Sequence, residues 1–195
     1  NDWNVFDAGA GLGIDLKGKT LGIFGLGNIG YEMARSCFGA FGMKIIYHNR
    51  HRNEKAEKAF SAKLVSFDEL LEQSDVVSVH ANLSEETQDK FNHQAFSKMK
   101  PSAIFINTAR GKLHNEQDLI EALESGQIWG AGLDVTNPEP MLPTNPLLDM
   151  ENVSVTPHIG SATRETRDAM AVLAAQNAVA GLKGEPLPAQ VPSKN

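Results

Sequence analysis

The sequence is poor in cysteine and lacks long apolar or basic runs. Its one cysteine, Cys37, can form neither an intramolecular disulfide nor a thiolate metal site, so we expect no metal. No apolar stretch reaches the roughly 18 residues that span a bilayer. With a formal net charge of −6 and no run of Lys and Arg, we expect neither nucleic acid nor an anionic membrane as a partner. We also expect a cytoplasmic location, since a single thiol suits a reducing compartment.

The chain does contain short apolar segments that alternate with helical patterns. The predicted strands are residues 19–24, 43–48, 63–65, 75–80, 103–107, 129–135 and 153–156. Continuous apolar strands separated by helices are typical of a parallel sheet covered on both faces. We therefore predict an α/β fold, a doubly wound parallel sheet of the Rossmann type. It covers residues 19–184, after an entering arm (1–18) and before a C-terminal linker (185–195).

A glycine pattern follows the first predicted strand and precedes a helix. Gly25 would permit the tight turn, Gly27 would let the backbone approach a pyrophosphate, and Gly30 would allow close packing of helix on strand. The free N–H groups and the dipole at the start of the helix favour an anion. In this context the pattern predicts a dinucleotide site.

The segment after the second strand indicates which dinucleotide binds. NAD enzymes usually carry an acid here for the ribose 2′-hydroxyl, but this sequence has Asn49, Arg50 and Arg52, with no acid before Glu54. Arginines can make charge-assisted hydrogen bonds to a 2′-phosphate. We predict NADP as the cofactor, with NAD as the alternative.

Three polar side chains follow later strands. Arg110 comes just after the strand 103–107, and a guanidinium there is suited to gripping a carboxylate and polarising a carbonyl. Glu139 stands between Pro138 and Pro140, which stiffen its loop, and His158 follows the last strand. A carboxylate beside an imidazole favours the imidazolium, which can then act as a general acid. We interpret the other five histidines as surface or loop residues.

At this point the sequence resembles the D-isomer-specific 2-hydroxyacid dehydrogenases. The motifs GLGNIG (25–30), INTARG (106–111), GAGLDVTNPEP (130–140) and TPHIGSAT (156–163) occur in the order and spacing of that family. Within it, the chain is most similar to the glyoxylate/hydroxypyruvate reductases. The match covers nearly the whole chain.

The resemblance implies a role for each matching residue. Arg110 would bind the carboxylate and carbonyl of the substrate, His158 would be the acid and base, and Glu139 would hold and charge His158. Asp134 would contact the nicotinamide amide. The other residues implied to line the cofactor are Gly27, Asn28, Ile29, Arg50, Asn82, Thr108, Ala109 and Gly160. Asn49 and Arg50 depart from the acid of NAD-using relatives, which supports NADP.

The resemblance also implies a reaction and partners. We expect hydride transfer between NAD(P)H and a small 2-oxo acid, giving a D-2-hydroxy acid. Family members carry a second, substrate domain, which we expect to be largely absent here, so that the chain alone would bind cofactor and turn over poorly. The nucleotide domains of the family form homodimers, to which Trp3 and Phe6 would contribute.

Other functions fit part of the same pattern. A non-catalytic, nicotinamide-sensing module of the corepressor type would keep the Arg, Glu and His residues. A dehydrogenase for another 2-hydroxy acid, such as phosphoglycerate or D-lactate, would keep them too. A formate dehydrogenase has a glutamine beside its histidine, and Glu139 argues against that activity.

Overall fold

The computed structural model describes residues 12–191, and within that range seven strands form one parallel sheet. The strands are β1 (Thr20–Phe24), β2 (Lys44–His48), β3 (Lys63–Leu64), β4 (Val76–Val79), β5 (Ile104–Asn107), β6 (Gly130–Leu133) and β7 (Val153–Val155). The helices are α1 (Asn28–Phe41), α2 (Glu54–Phe60), α3 (Phe67–Gln73), α4 (His93–Lys98), α5 (Glu116–Glu124) and α6 (Arg164–Lys183). The predicted dimer contacts of Trp3 and Phe6 lie outside the described residues.

The strand order is β3-β2-β1-β4-β5-β6-β7, and every neighbouring pair is parallel. The chain starts in the middle at β1, winds outward to β3, and then crosses back to β4 before it winds to β7. The winding direction therefore reverses between β1 and β4, which leaves a crevice at the carboxyl ends of these two strands. The predicted doubly wound α/β fold is confirmed.

The sheet is buried on both faces because successive strand residues pack into opposite core clusters. On β1, Phe24 joins one cluster and Ile23 the other; on β4, Val77 and Val76 separate in the same way. Strands covered on both sides need continuous apolar sequence. This requirement explains why the strands could be located from short apolar runs alone.

Two of the helices begin at clear capping side chains. Ser66 and Glu69 form a capping box at the start of α3, and the side chain of Asn115 caps α5. The six-residue helix α4 was not predicted, because it buries only Ala95 and Phe96 and so shows little apolar period.

From Ile159 onward the chain forms a second compact unit. Its helix α6 begins at Arg164, where the Thr163 side chain accepts the Thr166 N–H. After Gly184 the chain turns back, and the N–H of Ala189 donates to the side chain of Asn177. The predicted domain boundaries at 18/19 and 184/185 stay predictions.

Two properties of residues 12–191 bear on function. None of the helices in this range combines the length and the apolar character that crossing a membrane requires. The same residues contain no group of three or more His, Cys, Asp or Glu side chains that could hold a metal ion.

Candidate active site

The residues predicted to be functional follow strand ends along one edge of the sheet. Because all neighbouring strands are parallel, their carboxyl ends meet at that edge. The glycine loop follows β1, and the arginine segment follows β2. The Arg110 loop follows β5, and the loops bearing Glu139 and His158 follow β6 and β7. The glycine loop and the arginine segment thus lie on one side of the edge, and the loops bearing Arg110, Glu139 and His158 lie on the other.

The glycine loop has the conformation that its sequence predicts. Gly25 has a φ of +96°, and a Cβ there would lie 2.5 Å from the amide nitrogen of Ala81. A Cβ on Gly30 would lie 2.7 Å from the carbonyl oxygen of Gly25. A Cβ on Gly27 would meet nothing within 4 Å. Gly25 and Gly30 are therefore required by packing, whereas Gly27 leaves an open approach to the backbone.

The start of α1 fits the pyrophosphate of a dinucleotide. Among residues 12–191 no side chain caps this helix, and its first turn carries no acid, so its terminal N–H groups are available to an anion. Ile29, in that first turn, is 71% exposed. Beside it lies a groove of about 280 Å³, lined by Gly27, Asn28, Tyr31, Glu32, Asn53 and Lys55.

The segment after β2 holds the glycine loop through the Leu26 peptide. The N–H of Leu26 donates to Oδ1 of Asn49 at 2.6 Å. Its carbonyl oxygen accepts from Nδ2 of Asn53 at 2.9 Å and from Nδ2 of Asn49 at 3.3 Å. The side chain of Asn49 thus hydrogen-bonds to the backbone of the glycine loop. Asn53 does the same, and the sequence did not indicate this role for it.

The two predicted arginines differ in their surroundings. The guanidinium of Arg52 pairs with Glu57 at 2.6 Å, and Glu57 also accepts from the Tyr47 hydroxyl at 2.7 Å. The hydrogen bond from Arg52 is the main reason that the pKa of Glu57 lies below its ordinary value. Arg50 is exposed and has no ion pair within the described part of the chain. Of the two, Arg50 is therefore the guanidinium available to a ligand.

On the other side of the edge, the loop after β5 lies directly against the loop after β6. A Cβ on Gly111 would lie 2.0 Å from the carbonyl oxygen of Thr136, so only glycine permits this contact. Arg110 is exposed, and its guanidinium donates to the carbonyl oxygen of Ala109 at 2.5 Å. Thr108 is exposed as well. The close contact at Gly111 brings Arg110 to the Glu139 loop.

Glu139 and His158 form the predicted pair. Nδ1 of His158 lies 2.6 Å from Oε1 of Glu139, and both side chains are about half exposed. A carboxylate can only accept, so Nδ1 carries the hydrogen and Nε2 is the nitrogen able to exchange a proton. This hydrogen bond is the main reason that the pKa of Glu139 lies below its ordinary value, and the charge of Arg110 adds to it.

Asp134 connects the ends of β6 and β7. Its carboxylate is buried and accepts from the Thr156 hydroxyl at 2.5 Å. Two residues farther along the chain, the N–H of Thr136 donates to Oε2 of Glu139 at 3.2 Å. The first of these bonds joins the strand ends that lead to Glu139 and His158, and the second holds the Glu139 carboxylate within its own loop.

The remaining predicted residues have less definite surroundings. Asn82 is exposed after β4, and its carbonyl oxygen accepts from the Thr87 hydroxyl at 2.8 Å. Gly160 lies at the start of the second unit.

Of the other histidines, which we interpreted as surface or loop residues, His80 does lie in the loop after β4 but is partly buried, and His114 is fully buried. Burial lowers the pKa of both to about 4. His80 contacts the Ser78 hydroxyl at 2.9 Å, and His114 contacts the side chain of Asn107 at 3.0 Å. Neither neighbour is adjacent in sequence to its histidine, so inspection of the histidines alone could not reveal these pairs.

The chain is similar in sequence to known proteins. The family model described as the NAD binding domain of D-isomer specific 2-hydroxyacid dehydrogenase matches residues 1–160. The glyoxylate/hydroxypyruvate reductase B of Salmonella agona is 44% identical over 184 residues, which make up 94% of this chain and 57% of that protein. The chain therefore spans a little over half the length of the curated relatives it matches.

Solved structures show the same likeness. The TT0316 protein from Thermus thermophilus has a TM-score of 0.90 and 43% identity, over 97% of this chain and 59% of that one. A glyoxylate reductase from Paecilomyes thermophila has a TM-score of 0.85 and 46% identity, over 93% of this chain and 54% of that one.

Proposed function

This chain belongs to the D-isomer-specific 2-hydroxyacid dehydrogenases, as their NAD-binding domain, and we propose that its protein reduces small 2-oxo acids to D-2-hydroxy acids. Glyoxylate and hydroxypyruvate are the substrates that the names of the similar reductases suggest. These likenesses to reductases favour an enzyme over a non-catalytic, nicotinamide-sensing module.

One observation carries this proposal: the 2.6 Å contact between Glu139 and His158, with Arg110 on the adjoining loop. The contact holds an imidazole with Nδ1 as the donor, and so leaves Nε2 for a substrate oxygen. Arg110 supplies a fixed positive charge close enough to lower the pKa of Glu139. An acid beside a guanidinium is the arrangement that carbonyl reduction needs.

In the proposed mechanism each of the three side chains has its own role. The guanidinium of Arg110 grips the substrate carboxylate and stabilises the charge that develops on the carbonyl oxygen. His158 acts as the imidazolium and gives its Nε2 proton to that oxygen, which leaves a neutral ring with its hydrogen on Nδ1. Glu139 stabilises the imidazolium before the transfer and fixes the ring orientation. A bound nicotinamide cofactor would supply the hydride that the carbonyl carbon accepts. Gly27, Asn28, Ile29 and Asp134 are the residues proposed to hold it.

The test is a reductase assay on the full-length protein with glyoxylate, hydroxypyruvate and pyruvate. His158→Gln removes the acid, so we expect kcat to fall by about 10²- to 10⁴-fold, with little change in the Kd of the cofactor. His93→Gln is the matched control, because His93 is an exposed residue of α4 outside the site. Near-normal turnover by the His158 variant would show that the assignment is wrong.

We propose NADP as the preferred cofactor, since Arg50 is exposed and unpaired within residues 12–191 and no acid stands beside it at 49–52. A 2′-phosphate offers this guanidinium charge-assisted hydrogen bonds. Arg52 would contribute less, because Glu57 already engages it.

Binding titrations with NADPH and NADH test this preference. Arg50→Ala is expected to weaken NADPH by about 10- to 100-fold, the range of one strong charge-assisted contact, and to leave NADH almost unchanged. Arg52→Ala is the matched control and is expected to weaken NADPH by less than about threefold. Equal losses of NADH and NADPH in the Arg50 variant, or a wild type that prefers NADH, would contradict the proposal.

The homodimer through the nucleotide-binding domain and the cytoplasmic location stay predictions. Sedimentation equilibrium of the full-length protein measures the first, and cell fractionation measures the second.

A further inference from the structure

Asn107, the last residue of β5, is fully buried at the base of the Arg110 loop and makes three side-chain hydrogen bonds. Its Oδ1 accepts the N–H of Ala109 at 3.0 Å. Its Nδ2 donates to the carbonyl oxygen of Arg110 at 2.9 Å and lies 3.0 Å from Nδ1 of His114. One amide thus holds the peptide groups on both sides of the turn that carries Arg110.

The hydrogen count fixes the protonation of His114. The Ala109 N–H can only donate and the Arg110 carbonyl can only accept, so the orientation of the Asn107 amide is determined. Nδ2 then donates one hydrogen to the carbonyl oxygen of Arg110 and the other to Nδ1 of His114. Nδ1 of His114 must accept, and its ring must carry its hydrogen on Nε2 and stay neutral.

The surroundings of His114 favour this neutral form. Its ring is buried and lies against Phe105 with the ring centroids 5.7 Å apart. Backbone hydrogen bonds hold the chain on both sides of it, from Phe91 to Leu113 at 3.1 Å and from Asn115 to Phe91 at 2.9 Å. Desolvation lowers the pKa of His114 to about 4. The ring is therefore a fixed acceptor through the neutral pH range.

We propose that Asn107 and His114 are positioning residues, which set the Arg110 loop for the substrate through this chain of hydrogen bonds. His114 orients the amide of Asn107, and the amide fixes the peptide groups of Ala109 and Arg110. Asn107 also accepts the N–H of Asp134 at 3.0 Å through its carbonyl oxygen, which ties the loop to β6. The inference rests on the proposed function, since it assigns the supports of the residue proposed to bind the 2-oxo acid.

Asn107→Asp tests the inference with almost no change in shape. A carboxylate would direct oxygen at the Arg110 carbonyl and at Nδ1 of His114, where two donors are needed. We expect kcat/KM for the 2-oxo acid to fall by about 10- to 100-fold, as for a small displacement of a reacting group, with the Kd of the cofactor changed by less than about twofold. Asn92→Asp is the matched control. The side-chain oxygen of Asn92 caps α4, and an aspartate keeps that oxygen, so kcat/KM should be unchanged.

His114 offers a second pair of variants. His114→Asn retains an acceptor near the position of Nδ1 and should keep most of the activity, whereas His114→Phe removes the acceptor and should behave like Asn107→Asp. In an Arg110→Gln background, Asn107→Asp should cause little further loss, because it acts through Arg110. Additive losses in this double variant, or equal losses in both His114 variants, would overturn the positioning role.

NMR separates this inference from the proposed function. At pH 7 the nitrogen shifts of His114 should show an unprotonated Nδ1 and a protonated Nε2. The amide of Arg110 should shift in Asn107→Asp and in His114→Phe but not in Asn92→Asp. If these chemical shifts are observed but the protein shows no reductase activity, the proposed function is contradicted and the positioning role stands. A reductase in which Nδ1 carries the proton, or in which the Arg110 amide does not move, would overturn the positioning role alone.

Discussion

At the residue scale, His158 has a left-handed backbone conformation, which residues other than glycine adopt infrequently. Its φ of +54° lies in the left-handed region, where a Cβ meets the neighbouring carbonyl. The residue is held there by a hydrogen bond from its N–H to the carbonyl oxygen of Thr156 at 3.0 Å and by Glu139 at the ring. Strain retained at such a position is a mark of functional sites. The conformation directs the imidazole at Glu139.

The first prediction concerns the charge state of Glu139. The hydrogen bond from His158 is the largest cause of its lowered pKa, and the charge of Arg110 is the smallest. His158→Ala should therefore move the pKa of Glu139 back toward its ordinary value, and Arg110→Gln should move it less. A carbon-13 NMR titration of the carboxyl group measures both shifts. A larger effect from Arg110→Gln would contradict the geometry.

The sign of the pH dependence follows from the same contact. A carboxyl group whose folded pKa is lowered contributes its full stabilisation above the unfolded pKa and loses it as the pH falls through the folded value. The pair of Glu139 and His158 should therefore add to stability in the neutral range and lose that contribution only in acid. The difference in stability between the wild type and Glu139→Gln should vanish at low pH.

The second prediction concerns Gly111. A Cβ there would lie 2.0 Å from the Thr136 carbonyl oxygen, a backbone atom that cannot move alone. Gly111→Ala should push the Arg110 and Glu139 loops apart, lower the free energy of unfolding by about 1–3 kcal/mol as other overpacking does, and reduce turnover. Gly39→Ala is the control: its Cβ meets nothing within 4 Å on an exposed face of α1, and it should be neutral or slightly stabilising. Chemical denaturation of both variants gives the comparison.

At the element scale, the segment after β2 and the glycine loop after β1 form one assembly through the Leu26 peptide. The third prediction follows from this contact. Asn49→Ala removes the acceptor of the Leu26 N–H, so it should weaken NADH and NADPH by the same factor, about 3- to 10-fold for one hydrogen bond. Asn152→Ala is the control, since Asn152 donates to the Trp129 carbonyl oxygen, before β6. A loss confined to NADPH would place Asn49 at the 2′-phosphate instead.

The elements themselves were largely predictable from the sequence, and the exceptions have physical reasons. All seven strands were predicted, and the five inner ones were marked by apolar runs because parallel strands covered on both faces must be apolar throughout, whereas the edge strand β3 is exposed. The helix α4 was not predicted because its six residues show too little apolar period, and the start of α6 is set by Thr163, whose side chain accepts the Thr166 N–H. Local pattern thus predicts where an element exists better than where it begins.

At the scale of the whole molecule, the parallel sheet is what gathers the site. Gly25 and His158 are 133 positions apart in the sequence, yet each follows a strand, and parallel strands end at one edge. The sequence could therefore indicate which residues lie at this edge, but it could not indicate which residues hold their loops in place. Two contacts between loops hold the site: Asn107 with His114, and Gly111 with Thr136. Neither contact follows from a repeating pattern of apolar residues in the sequence.

The last prediction uses the stability of the whole chain as a measure of binding. A ligand that binds only the folded state stabilises it by about 2.7 kcal/mol at 100 times its Kd, which raises Tm by several degrees in a domain of this size. NADPH should therefore raise Tm more than NADH at equal concentration, if Arg50 binds the 2′-phosphate.

Gly27→Ala provides the decisive comparison for this measurement. Its Cβ meets nothing within 4 Å and its φ is −87°, so Tm without cofactor should be unchanged. That Cβ would enter the open space at the start of α1, where the pyrophosphate is proposed to bind, and so the cofactor should raise Tm less than in the wild type. A variant with an unchanged response to NADPH would show that the cofactor binds elsewhere on the chain, because a methyl group this close to the backbone amides cannot be avoided by a bound phosphate.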